Sequence, residues 1–147
     1  MREILFRGKR EDNGQWVIGF LSKTRGLDNK LHICIDYEEK GLMCSSIVVP
    51  STIGQYTGLT DKNGNKIFDG DIIKNHFEIG VVKFGSYETP YRDWSAITQD
   101  IFSKHIGFYI NWITLDYRKD IEFWNNKIKV IGNIYDNPEL LKEAEQE

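Results

Sequence analysis

The stretch from Gln55 to Lys74, QYTGLTDKNGNKIFDGDIIK, constrains this chain more than any other. Asn63-Gly64 suits a two-residue hairpin turn with positive φ at both positions, and Gly58 and Gly70 punctuate the runs on either side. Ile67-Phe68 and Ile72-Ile73 lie between those turns, so the segment predicts strand, turn, strand and then a further strand starting at Asp71. Turns this close together leave no room for long helices. The expectation is a β folding core with no visible reaction centre.

The rest of the chain repeats the theme. Ile4 to Arg10, the turn Asp12-Asn13-Gly14 and Gln15 to Ser22 predict a hairpin, with Trp16, Ile18 and Phe20 alternating on a face expected to be buried. Thr24 to Lys30 has loop composition. Leu31, Ile33, Ile35 and Tyr37 then alternate against His32, Cys34 and Asp36. A turn at Glu39 to Gly41 leads to a strand over Met43 to Val49, ended by Pro50. After Ile72-Ile73, the run GVVKF from Gly80 to Phe84 fits the second strand of a small barrel.

Further on, Pro90 is expected to break the run before it, and Trp94, Ile97 and Ile101 space a short amphipathic helix starting near Asp93. Ile106 to Leu115 carries apolar residues on both alternating sets, as in a central or interface strand. Tyr117 to Asn126 reads as an exposed connection anchored by aromatics, and Lys127 to Tyr135 as a closing strand. Asn137-Pro138-Glu139 has the N-cap, first-position proline and early acid of a helix start. Leu140 and Leu141 would dock that helix, while the acidic tail Glu143 to Glu147 would fray.

Three blocks, REILFRGKREDNGQWVIGF near the start, QYTGLTDKNGNKIFDGDIIK in the centre and KVIGNIYDNPELL near the end, together resemble the YopX family of small phage and prophage proteins. The resemblance implies a phage or bacterial origin, a cytoplasmic setting, a β-rich body like a small SH3-type barrel and a tendency to self-associate. It carries no catalytic residue to this chain. The organisation expected is one domain over 1–147, with an N-terminal hairpin region over 1–50, a barrel-like core over 51–136 and a C-terminal helix over 137–147.

At 147 residues, 40% hydrophobic and 28% charged, the chain has the composition of an ordinary globular domain that folds without metal or disulfide. A net charge of −3 has the wrong sign for a non-specific nucleic-acid binder, so charge argues against such a partner. The start lacks the long apolar core of a signal peptide, and no run reaches membrane-spanning length, so a cytoplasmic protein without membrane association is expected. Cys34 and Cys44, the whole thiol inventory, would stay reduced there.

Several residues invite chemistry. If the strands holding them pair as a hairpin, Cys34 and Cys44 lie near each other with His32 on the same face as Cys34, but a zinc site would still want another ligand. Asp61, Asn63 and Asn65 match the opening spacing of a calcium loop, yet Lys66 and Ile72 stand where Gly and a bidentate Glu are needed. A hairpin tip accounts for them better. Asp69 and Asp71 could share a strand face as an acid and base pair, but Gly70 between them favours a turn. Arg7, Lys9 and Arg10 stand beside Glu11 and Asp12, which favours local charge pairing over a phosphate site. The aromatics, 13% of the chain, suit packing better than base stacking, because the 19 Lys and Arg are scattered among 22 acids. His32, His76 and His105 lie far apart, and their spacing recommends no nucleophilic arrangement.

No catalytic, cofactor or metal residues are therefore assigned. The expected function is a non-enzymatic protein-binding or self-assembling module, a homo-oligomer with a phage or host protein as further partner. A nucleic-acid-associated protein is the alternative, and a metal-dependent hydrolase using Asp69, Asp71 or the Cys and His residues is a second one.

Overall fold

The computed structural model describes residues 2–91, 101–113 and 126–145. Their fold is mainly β, with two antiparallel sheets and one short helix. The chain divides into two compact units, Met1–Gly58 and Leu59–Glu147.

In the first unit β1 (Phe6–Lys9), β2 (Trp16–Arg25), β3 (Leu31–Glu39) and β4 (Leu42–Ile47) follow one another as antiparallel neighbours. A 3₁₀ turn at Pro50–Thr52 leads to β5 (Gly54–Thr60), which pairs with β1 and runs to the boundary between the units. The β3–β4 connection is the two-residue turn Lys40-Gly41, with φ of 51° and 78°. Both positions have the left-handed backbone that matches the twist of the strands. β2 and β3 extend through the expected loop as far as Arg25 and Leu31, because Gly26 N–H donates to Lys30 O and Asn29 takes φ 62° in a tight turn.

An isolated bridge, Arg10↔Val48, ties the end of β4 back to the end of β1. Glu11 N–H donates to Ile47 O and Val49 N–H to Lys9 O on either side of it. Ile35 and Val48 are buried inside this curl, and Gly8 lies so close to them that a Cβ there would sit 3.1 Å from Val48 Cβ. One bridge is not a ladder, so the sheet curls without closing.

In the second unit β6 (Lys66–Phe68) is followed by β7 (Asp71–Lys74), β8 (Ile79–Tyr91), β9 (Ile101–Trp112), β10 (Lys129–Asn133) and α1 (Glu139–Glu145). The sheet order is β10-β7-β8-β9. Ile67, Ile73, Val82, Phe108, Ile110, Trp112 and Ile128 form one buried cluster. Alternation explains it: Phe108, Ile110 and Trp112 share a face of β9, and Val82 opposite Ile110 completes the layer.

Three expectations need correcting. The Asn63-Gly64 turn has positive φ at Gly64 alone, because Asp61 N–H donates to Asn65 O and Gly64 N–H to Asp61 O, a longer loop built on a tight turn. Pro90 does not end its strand: β8 continues past it to Tyr91, pairing Pro90 with Phe102. Among the described residues β7 pairs only with Ile79 to Val81 of β8, so beyond that point they supply no ladder on that side, and a residue lacking an N–H is tolerated there. Of the two positions expected for β9, central or at an interface, the central one does not hold: among the described residues β9 lies at the end of the sheet order, and Ile106 on it is 83% exposed.

The helix expected near Asp93 and the connection expected over Tyr117 to Asn126 lie almost wholly outside the described residues. The C-terminal helix forms as expected, although the Asn137 side chain accepts from Asn133 N–H at 3.3 Å, back towards β10. No helix among the described residues is long and apolar enough to cross a membrane.

Candidate functional site

The face of β2 carrying Trp16, Ile18 and Phe20 was expected inside; instead Ile18 is 46% and Phe20 61% exposed. The reason is the bend of the first unit, which encloses the opposite face, where Gly19 lies against Ile35. The pairing register places the neighbours of the exposed stripe. Arg7 is opposite Ile18, and Lys9 opposite Trp16, on β1. On the other side the β2–β3 ladder ends with Asp36 opposite Phe20, and further along β3 Glu38 is opposite Met43 of β4, which is 72% exposed.

The result is an apolar stripe with cations along one flank and carboxylates along the other. The cationic flank is held over an aromatic ring. Arg7 Cζ lies 4.9 Å and Lys9 Nζ 5.6 Å from the centroid of Trp16. Such a surface has no catalytic chemistry, but it has the make-up of a contact surface: apolar in the middle, charged at the margins.

The remaining basic residue of that cluster is locally engaged. Arg10 donates from Nε and Nη2 to the carboxylate oxygens of Asp12 at 2.9 and 2.6 Å. That bond raises the Arg10 pKa and holds the Asp12 carboxyl below the usual carboxylate range. An open cleft of about 590 Å³ is lined by Arg10, Glu11, Asp12, His32, Ser45 and Ser46, among others. His32 Nε2 is 2.9 Å from Asp28 Oδ1. The hydrogen bond from His32, joined by the Lys30 N–H, lowers the Asp28 pKa. Arg10 and His32 of the cleft thus already have carboxylate partners, and the Ser46 hydroxyl is bonded to Tyr37 OH at 3.0 Å.

Cys34, Cys44 and His32 do not form a ligand trio. β3 and β4 do pair, but Cys34 is opposite Ile47 and Cys44 opposite Tyr37. Cys34 and Tyr37 are an odd number of residues apart on one strand, so the thiols lie on opposite faces of the sheet. Among the described residues no group of three or more His, Cys, Asp or Glu side chains could hold a metal ion.

Asp61 is structural. Its carboxylate accepts from Asn63 N–H and Asn65 N–H at 2.9 Å, from Asn65 Nδ2 at 3.2 Å and from Val130 N–H at 2.9 Å. Burial works to raise its pKa, but the hydrogen bonds from Val130 and Asn65, with that from Asn63, outweigh it and hold the group below the carboxylate range. Oxygens that face N–H donors are not arranged for a cation. Asp71 is 1% exposed and its Oδ2 accepts from Phe68 N–H at 2.8 Å, while Gly70 with φ 86° makes the turn before it. The turn, rather than a shared strand face, relates Asp69 to Asp71.

A model of the family described as YopX protein matches residues 5–142. The crystal structure of protein EF1440 from Enterococcus faecalis is similar at 21% identity, covering 96% of this chain and 99% of that one, with a TM-score of 0.47. No curated protein matches.

Proposed function

The chain belongs to the YopX family, and on that premise we propose that it is a non-enzymatic, self-assembling module whose copies join through the outer face of β2. The observation that carries this is the exposure of Ile18 and Phe20, 46% and 61%, between flanks of opposite charge. Arg7 stands one strand, about 4.8 Å, to one side of Ile18, and Asp36 stands one strand to the other side of Phe20. A twofold axis parallel to β2 lays the stripe of one copy on that of the other and sets the Arg7 flank of each copy along the partner's Asp36 flank. An axis across the strands would set like charges together. The surface is therefore self-complementary in one orientation.

The family likeness supplies the setting of the proposal: a phage or prophage origin, a bacterial cytoplasm and an SH3-like barrel over 51–136. A phage or host protein would join the assembly by other surfaces.

Light scattering on a size-exclusion column tests the reading. The wild-type chain is expected at twice its monomer mass or a higher multiple, and Phe20→Glu, which places a charge where the stripe must be dry, at the monomer mass. A wild-type monomer at tens of micromolar rejects it.

A further inference from the structure

We propose that the turn between β7 and β8, with the lysines around it, binds single-stranded nucleic acid. Phe77 in that turn is 92% exposed. It is nevertheless held in place, because Asn75 Oδ1 accepts from Phe77 N–H and Glu78 N–H, both at 2.7 Å. The turn holds the backbone that carries the ring, and the ring itself stands in water as a surface on which a base can stack.

The cations converge on it. Lys74 is directly opposite Lys129 across β7 and β10, so two ammonium groups emerge from one face of the sheet. Like charges placed so destabilise a sheet, and a bound anion reverses the sign of that term. Lys62 is tied to the start of β10, where its N–H donates to Ile128 O at 3.1 Å. Two hollows share His76 and Phe77: one of about 420 Å³ includes Lys74 and Glu78, the other of about 280 Å³ includes Lys62 and Lys127. The neighbouring Asp61 carboxylate keeps its charge but turns it towards the backbone N–H groups of Asn65 and Val130.

Clustered lysines around a presented ring fit a ligand with phosphates and unstacked bases. A duplex hides its base faces, and protein interfaces are poor in lysine, so a single strand is the better match. The net charge of −3 does not oppose a local cluster; it means that binding depends on contact and is salt-sensitive.

Fluorescence anisotropy with a labelled oligothymidylate of about 20 nucleotides is the test. Three phosphate contacts predict roughly twentyfold weaker binding on going from about 50 to 200 mM salt. Phe77→Ala should weaken binding about tenfold by removing the stacking surface. Lys129→Glu, which turns the repulsive cross-strand pair into an attractive one and so does not threaten folding, should weaken it at least as much. Phe20→Glu should leave it unchanged, which separates this site from the assembly face. No binding at the lower salt, equal binding of a duplex of the same length, or displacement by millimolar inorganic phosphate without any effect of Phe77→Ala would each overturn the proposal.

Discussion

The carboxylate of Asp61 accepts a hydrogen bond at 2.9 Å from the backbone N–H of Val130, a residue 69 positions further on. One side chain thus closes the β5–β6 turn through Asn63 and Asn65 and fastens that turn to β10. The bond lies where the β7–β10 register shifts between Val130 and Gly132, so it satisfies a donor next to an irregular ladder.

Replacing Asp61 with Asn keeps the shape but puts an amino group where one oxygen accepts. Leaving Val130 N–H or Asn65 N–H without its acceptor costs about 1–3 kcal/mol. Urea unfolding of Asp61→Asn should therefore show a loss of roughly 1–3 kcal/mol for the transition of the second unit. A loss within experimental error of zero would mean that the turn holds without the clamp.

The same carboxylate makes a prediction about acid. Its folded pKa is lowered, so its contribution is fully present above the unfolded value and drains away as the pH falls through the ordinary carboxylate range towards the folded one. Wild-type stability should fall between neutral pH and about pH 3, and Asp61→Asn should lose less over the same interval. Equal acid losses in the two proteins would assign the effect to other carboxylates.

In the first unit the tightest approach is at Gly19, where an added Cβ would collide with Asp36 O and stand 2.8 Å from Asp36 C. Both are backbone atoms of the paired strand and cannot swing aside. Gly19→Ala should cost at least about 2 kcal/mol by forcing β2 and β3 apart. Gly107 is the control, because a Cβ there meets nothing within 4 Å. Gly107→Ala should be neutral or slightly stabilising in a melting experiment.

The thiols should behave differently. Cys34 is 1% exposed, whereas Cys44 is half-buried. A thiol reagent should modify Cys44 in the native protein and Cys34 only on unfolding, and mild oxidation should form no bond between them because they are on opposite sheet faces. Simultaneous modification of both, or a Cys34–Cys44 disulfide in native protein, would contradict the β3–β4 register.

Much of this architecture was legible in local chemistry. Glycine and asparagine positions placed the turns at Gly14, Gly41, Gly64 and Gly70, and period-two alternation placed β3 and its neighbours. Which face of β2 is inside was not legible. Trp16, Ile18 and Phe20 are the more apolar set, but burial was decided by the curl, and the curl depends on the Arg10↔Val48 bridge between residues far apart in sequence. The same limit hid the opposition of Lys74 and Lys129 and the separation of Cys34 from Cys44, all set by register. Pro90 misled because a proline signals a break only where its missing N–H is needed.

The most direct test of the assembly face exchanges its charges. Arg7→Glu alone and Asp36→Arg alone each place like charges on facing flanks of the proposed twofold contact, and each should shift the sedimentation coefficient towards the monomer. The double variant Arg7→Glu with Asp36→Arg restores opposite charges on both facing flanks, and sedimentation velocity should return it to the wild-type assembly. A double variant that stays dissociated, or single variants that sediment like wild type, would contradict the account.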